Sequence, residues 1–427
     1  LLAQNLRARG YDDKLIAKAV VQLQKAAAVG AGRGLYEANL EVYGLLRYGV
    51  KVRPGAGDQY ETVKLVDWEN AEANHFVVAE EVTVLGQNTK RPDVVLYVNG
   101  IALATLELKR SQVAVSEGIR QTIGNQKPEF IRPFFSTVQL VLAGNDVEGL
   151  RYGVIDTPEK YWLKWRLIKD IDEQQRAQLE LDSAGVEGLL DVPLAHVCNK
   201  ERFLDIIHNF IVFDAGVKKT CRPNQYFGVK AAQARIAQRD GGIIWHTQGS
   251  GKSLTMVWLA KWIRENQDDP RVLLITDRTE LDDQIEGVFN GVNEQIYRTK
   301  SGADLIDTLN ASQEWLICSL VQKFRGSDDD TDLDDASEQF IAELKAKVPK
   351  GFEAKGNIFV FVDEAHRTQS GKMHAAMKQL LPGATFVGFT GTPLLKKDKA
   401  TTIETFGSFI HTYKFDEAVE DGVVLDL

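Results

Sequence analysis

The sequence has few cysteines, no long apolar run and no net positive charge, and each of these excludes a class of protein or sets a condition on its partners. Its three cysteines, Cys198, Cys221 and Cys318, are scattered and form no C-x-x-C pair, so they indicate neither a disulfide framework nor a thiolate metal site. No apolar run approaches the roughly 18 residues of a membrane-spanning helix, and the N-terminus lacks the layout of a secretion signal. We expect a protein of a reducing cytoplasm.

The composition is that of a globular protein with two or three domains. The 427 residues are 44% hydrophobic and 26% charged, at an expected length of roughly 150 residues per domain. The formal net charge of −9 repels phosphate, so contact with nucleic acid requires a local basic groove. The chain does not begin with Met and ends in D-G-V-V-L-D-L, and we expect it to be a fragment of a longer protein.

Hydrophobic periodicity predicts two α/β parts. Residues 11–50 show helical spacing, and residues 62–108 alternate with the period of strands. Strands are predicted at 63–68, 76–85, 93–98 and 101–109, with a hairpin turn at Asn99-Gly100, and they precede a helix near 115–125 and a strand at 137–145. Further on, strands alternate with helices, which predicts a parallel sheet with helices on both faces. The strands of this second part are predicted at 243–245, 272–276, 315–319, 358–362 and 385–390. The expected domains are 1–170, a helical linker region at 171–220, and 221–427.

A phosphate-binding loop is predicted between the first of these strands and the next helix. The motif consists of Gly249, Ser250, Gly251, Lys252 and Ser253. Glycines let backbone N–H groups close around phosphate oxygens, Lys252 would neutralise the β- and γ-phosphates, and Ser253 would bind Mg²⁺. The strict pattern has Gly six residues before the Lys, where this sequence has His246.

An acidic pair, Asp363-Glu364, directly follows the strand at 358–362. A carboxylate at the carboxyl end of such a strand faces the crevice where doubly wound sheets bind ligands. Asp363 can hold Mg²⁺ through water and Glu364 can polarise the attacking water, whereas a helix N-cap is the alternative role of such a pair. The pair and the loop together indicate ATP and Mg²⁺ as cofactors.

This order of motifs resembles the superfamily 2 helicases and translocases of the D-E-A-H type, with a RecA-like doubly wound domain. By that resemblance Thr390 and Thr392 couple nucleotide state to DNA contact, and Gln225 recognises adenine. The resemblance also implies that three polar residues contact DNA, namely Arg278, Gln322 and Lys323. A surface ion pair would equally explain the presence of Arg278.

A second candidate site is formed by Asp93, Glu107 and Lys109. Two carboxylates and a lysine on one sheet face can hold Mg²⁺, lower the pKa of a bound water and stabilise charge on a cleaved phosphodiester. A strict two-residue turn would set Asp93 against Leu106 and send the two acids to opposite faces. We therefore predict an odd-length turn or a one-residue bulge between the strands, with Gly100 left-handed.

These three residues resemble the P-D…(D/E)-x-K nuclease core, which implies an N-terminal nuclease-like α/β domain. In that family a helical Glu can complete the site, here Glu37 or Glu41, and Gln121 would contact the DNA backbone. Basic residues cluster around the motifs and would give a locally positive surface for DNA phosphates. Taken singly, each of them is equally explained as an ordinary solvated charge. They are Lys90, Arg91, Lys109, Arg110, Arg120, Lys127 and Arg132.

Together with phrases such as L-E-L-K-R-S and H-T-Q-G-S-G-K-S, the chain resembles the restriction subunit of prokaryotic type I restriction-modification systems. The resemblance implies an ATP-dependent and Mg²⁺-dependent site-specific deoxyribonuclease that translocates double-stranded DNA and cleaves both strands. Its partners would be a methyltransferase (modification) subunit and a specificity subunit. No second set of motor motifs follows Pro393, so we expect nucleotide binding without efficient turnover.

Two alternatives remain from the sequence. One is a helicase with an attached nuclease that acts in repair or phage defence outside the type I systems. The other is a non-catalytic DNA-binding module in which Asp93 and Glu107 are structural.

Overall fold

The structure is a computed structural model, and it describes most of the chain. The described residues are 1–30, 32–55, 57–276, 286–287, 289, 295–311, 313–320, 341–342, 344, 346–363, 365, 368–392, 403, 406–424. Four residues predicted from the motifs lie outside them: Arg278, Gln322, Lys323 and Glu364. Of the helices in the described ranges, none has the length and apolar composition to cross a membrane.

Contacts divide the chain into two compact units. The first unit contains residues 1–166 and 177–222, and the second contains residues 167–176 and 223–427. Residues 177–222, which include most of the segment predicted as a linker, make their contacts within the first unit.

The first unit is a mixed α/β structure. Its helices are α1 (Leu2–Ala8), α2 (Asp13–Ala27), α3 (Leu35–Tyr48), α4 (Val115–Asn125), part of α5 (Glu173–Asp182), α6 (Asp191–Cys198) and α7 (Lys200–Asn209). Its strands are β1 (Val50–Val52), β2 (Glu61–Val63), β3 (Phe76–Glu80), β4 (Val94–Val98), β5 (Ile101–Leu108), β6 (Leu140–Asn145), β7 (Gly149–Gly153), β8 (Leu163–Lys164), β9 (Ile211–Asp214) and β10 (Val217–Thr220). Short 3-10 helices occupy Ala71–Ala73, Arg132–Ser136 and Glu159–Tyr161.

Local sequence explains where the first helices begin and end. The carboxylate of Asp12 accepts hydrogen bonds from the backbone N–H groups of Lys14 and Leu15 and so caps α2. The helical spacing predicted over 11–50 is confirmed, but it forms two helices, since Gly34 precedes α3 in extended conformation.

A six-stranded sheet carries the first candidate site. Its strand order is β3-β4-β5-β6-β7-β8, and only the β5–β6 pair is parallel. Helix α4 makes the crossover between β5 and β6, since parallel neighbours cannot be joined by a tight turn. The strand predicted at 63–68 is wrong, because the backbone leaves extended pairing after Val63, which pairs with β1 in a separate sheet.

One apolar cluster of the first unit packs α3 and α4 against this sheet. Its buried members include Leu35, Ile119, Phe135, Val141 and Ala143. Burial of such side chains stabilises the unit by roughly 1.5–3 kcal/mol for each large residue. The cluster thereby holds α4 against β5 and β6.

The second unit is built on a parallel sheet. Its helices are the start of α5, then α8 (Pro223–Ala237), α9 (Lys252–Asn266), α10 (Gly302–Asn310), α11 (Thr368–Leu380) and α12 (Phe415–Glu420). Its strands are β11 (Gly242–His246), β12 (Pro270–Thr276), β13 (Tyr297–Arg298), β14 (Leu316–Leu320), β15 (Asn357–Val362), β16 (Thr385–Thr390) and β17 (Phe409–Tyr413).

All pairings among these seven strands are parallel, in the order β13-β14-β12-β15-β16-β11-β17. The parallel sheet predicted from the alternation of apolar strands and helices is confirmed. Nearly every described residue of β12, β15 and β16 is buried, as in a sheet covered on both faces. Because β15, β16 and β11 are neighbours, their carboxyl ends lie along one edge of the sheet.

Candidate active sites

A one-residue bulge places the two acids of the first site opposite each other. Near the turn, Val98 pairs with Ile101 and Tyr97 with Ala102, but beyond the bulge Leu96 pairs with Ala104. Leu103 is the extra residue, and the new register continues to Val94 opposite Leu106. Asp93 and Glu107 are the next pair in this register. The predicted bulge is confirmed.

The turn itself has two residues, and both are left-handed. Asn99 has φ 52° and Gly100 has φ 84°. This is the geometry of a type I′ hairpin, whose twist matches that of the flanking strands. Gly100 is left-handed as predicted, and the odd residue that aligns the acids lies in β5 and not in the turn.

The three predicted residues of the first site meet at the end of β5. The Leu108 N–H donates to Asp93 Oδ2 at 2.8 Å, and the Lys109 ammonium lies 4.0 Å from the same oxygen. Glu107 is only 1% exposed, whereas the side chain of Asp93 is 38% exposed. The site thus combines a buried acid with one that solvent and substrate can reach.

Helix α4 holds the buried acid with two amides. Gln121 Nε2 donates to Glu107 Oε2 at 2.6 Å, and Asn125 Nδ2 donates to Glu107 Oε1 at 3.3 Å. The Lys109 ammonium donates to Gln121 Oε1 at 2.7 Å. Gln121 therefore links the acid to the lysine. Asn125 was missed from the sequence, although its position four residues after Gln121 places both on one helix face.

Burial raises the pKa of Glu107 to about 8, and the neighbouring Asp93 carboxylate adds to this effect. Two neighbouring carboxylates repel each other when both are ionised. A divalent cation between them stabilises both ionised forms, so the pair is a donor set suited to such a cation. Mg²⁺ commonly binds through one or two carboxylates and keeps several waters. The residues present therefore fit the implied metal.

No third acidic residue joins the pair in the described ranges. Among the residues that the structure describes, no group of three or more His, Cys, Asp or Glu side chains could hold a metal. Glu41 forms an ion pair with Arg33 at 2.5 Å. Neither Glu37 nor Glu41 is therefore brought into a three-acid site.

Several of the basic residues around this site have acidic partners. Arg91 lies 3.6 Å from Glu81, and Arg132 lies 3.4 Å from Asp156. Arg120 contacts both Glu117 and Glu159 at 2.9 Å. Part of the predicted positive surface is thus neutralised.

In the second unit, the predicted phosphate-binding loop joins β11 to α9. Gly249 and Gly251 have φ 83° and 87°, a left-handed backbone that favours glycine. The Ser250 hydroxyl is buried and donates to Thr247 O at 2.6 Å, so it closes the loop on itself. Lys252 is the first residue of α9, so the loop delivers it to the positive end of the helix dipole.

Two other predicted residues contact this loop or its lysine. Gln225, on α8 and buried, donates from Nε2 to Gly251 O at 2.9 Å. Gly391 follows β16, and a methyl group added to it would lie 2.5 Å from Lys252 Nζ and 3.2 Å from Gln248 N. The motif that contains Thr390 and Thr392 therefore lies against the lysine of the loop.

The remaining residues of this site end two neighbouring strands. Thr390 is the last residue of β16 and is fully buried, and its hydroxyl accepts from Thr392 N at 3.3 Å. Asp363 directly follows β15 and is 5% exposed. Since β16 lies between β15 and β11, Asp363 and the loop lie at the same edge of the sheet, as predicted from their positions at the carboxyl ends of parallel strands.

Comparison with known proteins adds an independent assignment for each part. Residues 2–160 match the family described as type I restriction enzyme R protein N terminus, and residues 224–427 match the SWI2/SNF2 ATPase family. The first part of the chain is thus similar to the N-terminal domain of type I restriction enzyme R proteins, and the second part to SWI2/SNF2 ATPases.

Relatives resemble the chain across both parts. The HindI endonuclease subunit of a type I restriction enzyme from Haemophilus influenzae is 28% identical over 457 residues, which cover 98% of this chain and 41% of the relative. The SauCOLORF180P endonuclease subunit of a type I restriction enzyme from Staphylococcus aureus is 28% identical over 359 residues, which cover 82% of this chain and 36% of the relative. The chain is thus similar to endonuclease subunits of type I restriction enzymes, the same family that the motifs resemble, and spans 36% to 41% of the length of these two relatives.

Solved structures give weaker similarities. A nuclease-deletion mutant of the type ISP restriction-modification enzyme LlaGI with a DNA substrate mimic is 18% identical, with a TM-score of 0.35, covering 48% of this chain and 21% of that chain. The SWI2/SNF2 ATPase core of Sulfolobus solfataricus in complex with double-stranded DNA is 13% identical, with a TM-score of 0.34. The match covers 50% of this chain and 40% of that chain.

Proposed function

We propose that this chain acts in the restriction subunit of a type I restriction-modification complex, which uses ATP to translocate DNA and then cleaves both strands. The observation that carries the proposal is the bulge that aligns Asp93 with Glu107 beside Lys109. A hairpin in regular register would separate these charges, whereas this one collects them at a site that suits phosphodiester hydrolysis.

In the nuclease site, Asp93 and Glu107 would hold Mg²⁺. When bound there, the cation would lower the pKa of a coordinated water and offset charge on the scissile phosphate. The Lys109 ammonium, held by Gln121, would stabilise the charge that develops on the phosphate oxygens. Gln121 and Asn125 would orient Glu107 by occupying one of its oxygens each.

In the motor site, the loop N–H groups and Lys252 would bind the phosphates of ATP, and Ser253 and Asp363 would hold its Mg²⁺. Gln225 would read the adenine, and Glu364 would orient the attacking water. Thr390 and Thr392 would couple nucleotide state to DNA, which Arg278, Gln322 and Lys323 would contact. Gly391 supports the coupling role, because it lies against the lysine that binds phosphate.

The DNA sequence would be chosen by a separate specificity subunit, with a modification subunit as the other partner. The family relationship supports these partners. The basic residues near the nuclease site would contact double-stranded DNA through its phosphates.

The test is cleavage and nicking of a plasmid by the complete subunit assembled with the modification and specificity subunits. Asp93→Ala and Lys109→Ala should abolish cleavage and preserve ATP hydrolysis, while Lys252→Ala should abolish hydrolysis and the cleavage that depends on it. Glu80→Ala, an exposed acid on the neighbouring strand β3, is the matched control. Equal nicking by wild type and Asp93→Ala would refute the nuclease assignment, and hydrolysis that survives Lys252→Ala would refute the motor.

A further inference from the structure

A buried histidine pair lies beneath the phosphate-binding loop. His246 ends β11 at the position where the strict loop motif has glycine, and its side chain is fully buried. Its Nε2 lies 2.8 Å from Nδ1 of His411 on β17, which is 2% exposed. The two imidazoles therefore share a hydrogen bond between neighbouring strands that are 165 residues apart in sequence.

Helix α8 is shaped to accommodate this pair. A methyl group added to Gly228 would lie 3.0 Å from Cε1 and Nε2 of His246 and 3.3 Å from Nδ1 of His411. One turn earlier, Asn224 Nδ2 lies 3.5 Å from His246 Nδ1. A helical glycine costs roughly 1 kcal/mol relative to alanine, and here it provides the space for two rings.

The same elements hold both ends of the loop. At its start, Thr247 N donates to Tyr413 O of β17 at 2.9 Å. At its end, Gly251 O accepts from Gln225 of α8 at 2.9 Å. Because His246 precedes Thr247 and packs between α8 and β17, its ring fixes where the loop begins.

The hydrogen bond requires at least one imidazole to accept. Burial lowers the pKa of His246 well below its usual value, with further effects from His411 and Lys252. Burial also lowers the pKa of His411 to about 4, although the negative charges of Asp170 and Asp172 act to raise it. Both rings are therefore neutral at neutral pH, and one donates to the other. With His246 Nδ1 accepting from Asn224, Nε2 is the nitrogen that donates to His411.

We propose that the His246–His411 hydrogen bond holds the phosphate-binding loop in its nucleotide-accepting conformation, which makes His411 a positioning residue for ATP. The inference rests on the proposed nucleotide-binding function of this loop. His411 has no role in the motifs from which that function is proposed, and it acts through His246.

The experiment measures Mg·ADP binding by isothermal titration calorimetry with the full chain, at a temperature where circular dichroism shows each variant folded. His411→Ala should weaken binding about tenfold, since it leaves a buried imidazole nitrogen without its partner. His411→Asn, which restores a polar atom near the position of Nδ1, should recover most of the affinity. Gly228→Ala should weaken binding as His411→Ala does, because it displaces the rings and leaves both histidines present.

His374→Ala is the matched control, since this buried histidine of the same unit packs against Phe386 and Phe406. It should lower the melting temperature without changing affinity. Wild-type affinity in folded His411→Ala, or an Asn variant as weak as the Ala variant, overturns the positioning role. Failure of the wild type to bind Mg·ADP, or binding unaffected by Lys252→Ala, overturns the proposed function of the loop instead.

Discussion

Glu107, which is almost fully buried, faces the carboxylate of Asp93 across the β4–β5 hairpin. Burial and this neighbouring charge raise the pKa of Glu107 to about 8, far above its ordinary value of 4.5. The acid is thus protonated at neutral pH when no cation is present. At neutral pH Glu107 becomes ionised only when a bound cation offsets its negative charge.

This relationship predicts how stability depends on pH. The folded chain keeps the Glu107 proton up to about pH 8, whereas the unfolded chain loses it near pH 4.5. The contribution of Glu107 to stability should therefore be lost as pH rises through this window, by an amount on the order of 5 kcal/mol. Glu107→Gln should remove that loss, so its urea midpoint should rise relative to wild type between pH 5 and pH 9. An equal pH dependence in the two proteins would contradict the assignment.

The same residue predicts a metal effect that needs no DNA. Mg²⁺ without nucleotide should raise the melting temperature of wild type at pH 7, because the cation binds the folded pair and displaces the Glu107 proton. Glu107→Gln and Asp93→Ala should show little of this rise. Calorimetry at several Mg²⁺ concentrations measures it, and an equal rise in all three proteins would show that the cation binds elsewhere.

Gln121 should matter to cleavage although it carries no charge. Gln121→Leu removes the hydrogen bonds to Glu107 and Lys109, and cleavage should fall about ten- to a hundredfold, as for other residues that orient metal ligands. ATP hydrolysis by the assembled complex should be unchanged. Gln22→Ala, which removes a half-buried glutamine whose amide donates to Lys51 O, is the control. Cleavage at the wild-type rate by Gln121→Leu would show that α4 does not orient the acid.

Gly391 should be required for ATP binding. In Gly391→Ala the added methyl must displace the Lys252 ammonium or the backbone at Gln248, so nucleotide affinity should fall about tenfold or more. Gly383→Ala is the matched control, because a methyl group there meets nothing within 4 Å. Titration of Mg·ADP into the two variants measures the difference, and equal affinities would contradict the contact.

Lys218 should make stability rise with pH. It is buried and donates to Asn39 Oδ1 and Gln139 Oε1, both at 2.7 Å, and burial lowers its pKa well below 10.5. The unfolded chain therefore holds this proton more tightly, and stability should increase as pH rises toward 10.5. Lys218→Met should flatten this increase, whereas Lys219→Met, which removes a partly exposed ion pair with Asp214, should not. Urea titrations between pH 7 and 10 compare the two, and parallel curves would refute the effect.

The elements of the second unit were predictable because each strand is a short apolar run bounded by polar residues. The strand predicted at 272–276 is observed at Pro270–Thr276, and the strand predicted at 385–390 has the same bounds in the structure. The stretch after β3 was not predictable in the same way. It was expected to remain a strand through Leu85, yet in the structure only the bridge of Val84 with Lys90 remains.

The sequence by itself determined which residues are candidates for the chemistry, since the motif of Asp93, Glu107 and Lys109 and the loop around Lys252 are local patterns. It also predicted an odd-length turn or a bulge, because register along a hairpin follows from counting residues, and the structure has the bulge. The tertiary structure decided what surrounds those residues. Asn125 against Glu107, His246 against His411, and Lys218 against Asn39 join positions separated by 18, 165 and 179 residues. Such polar pairs are specified by the packing of whole elements and by the need to satisfy buried groups, which no local pattern records.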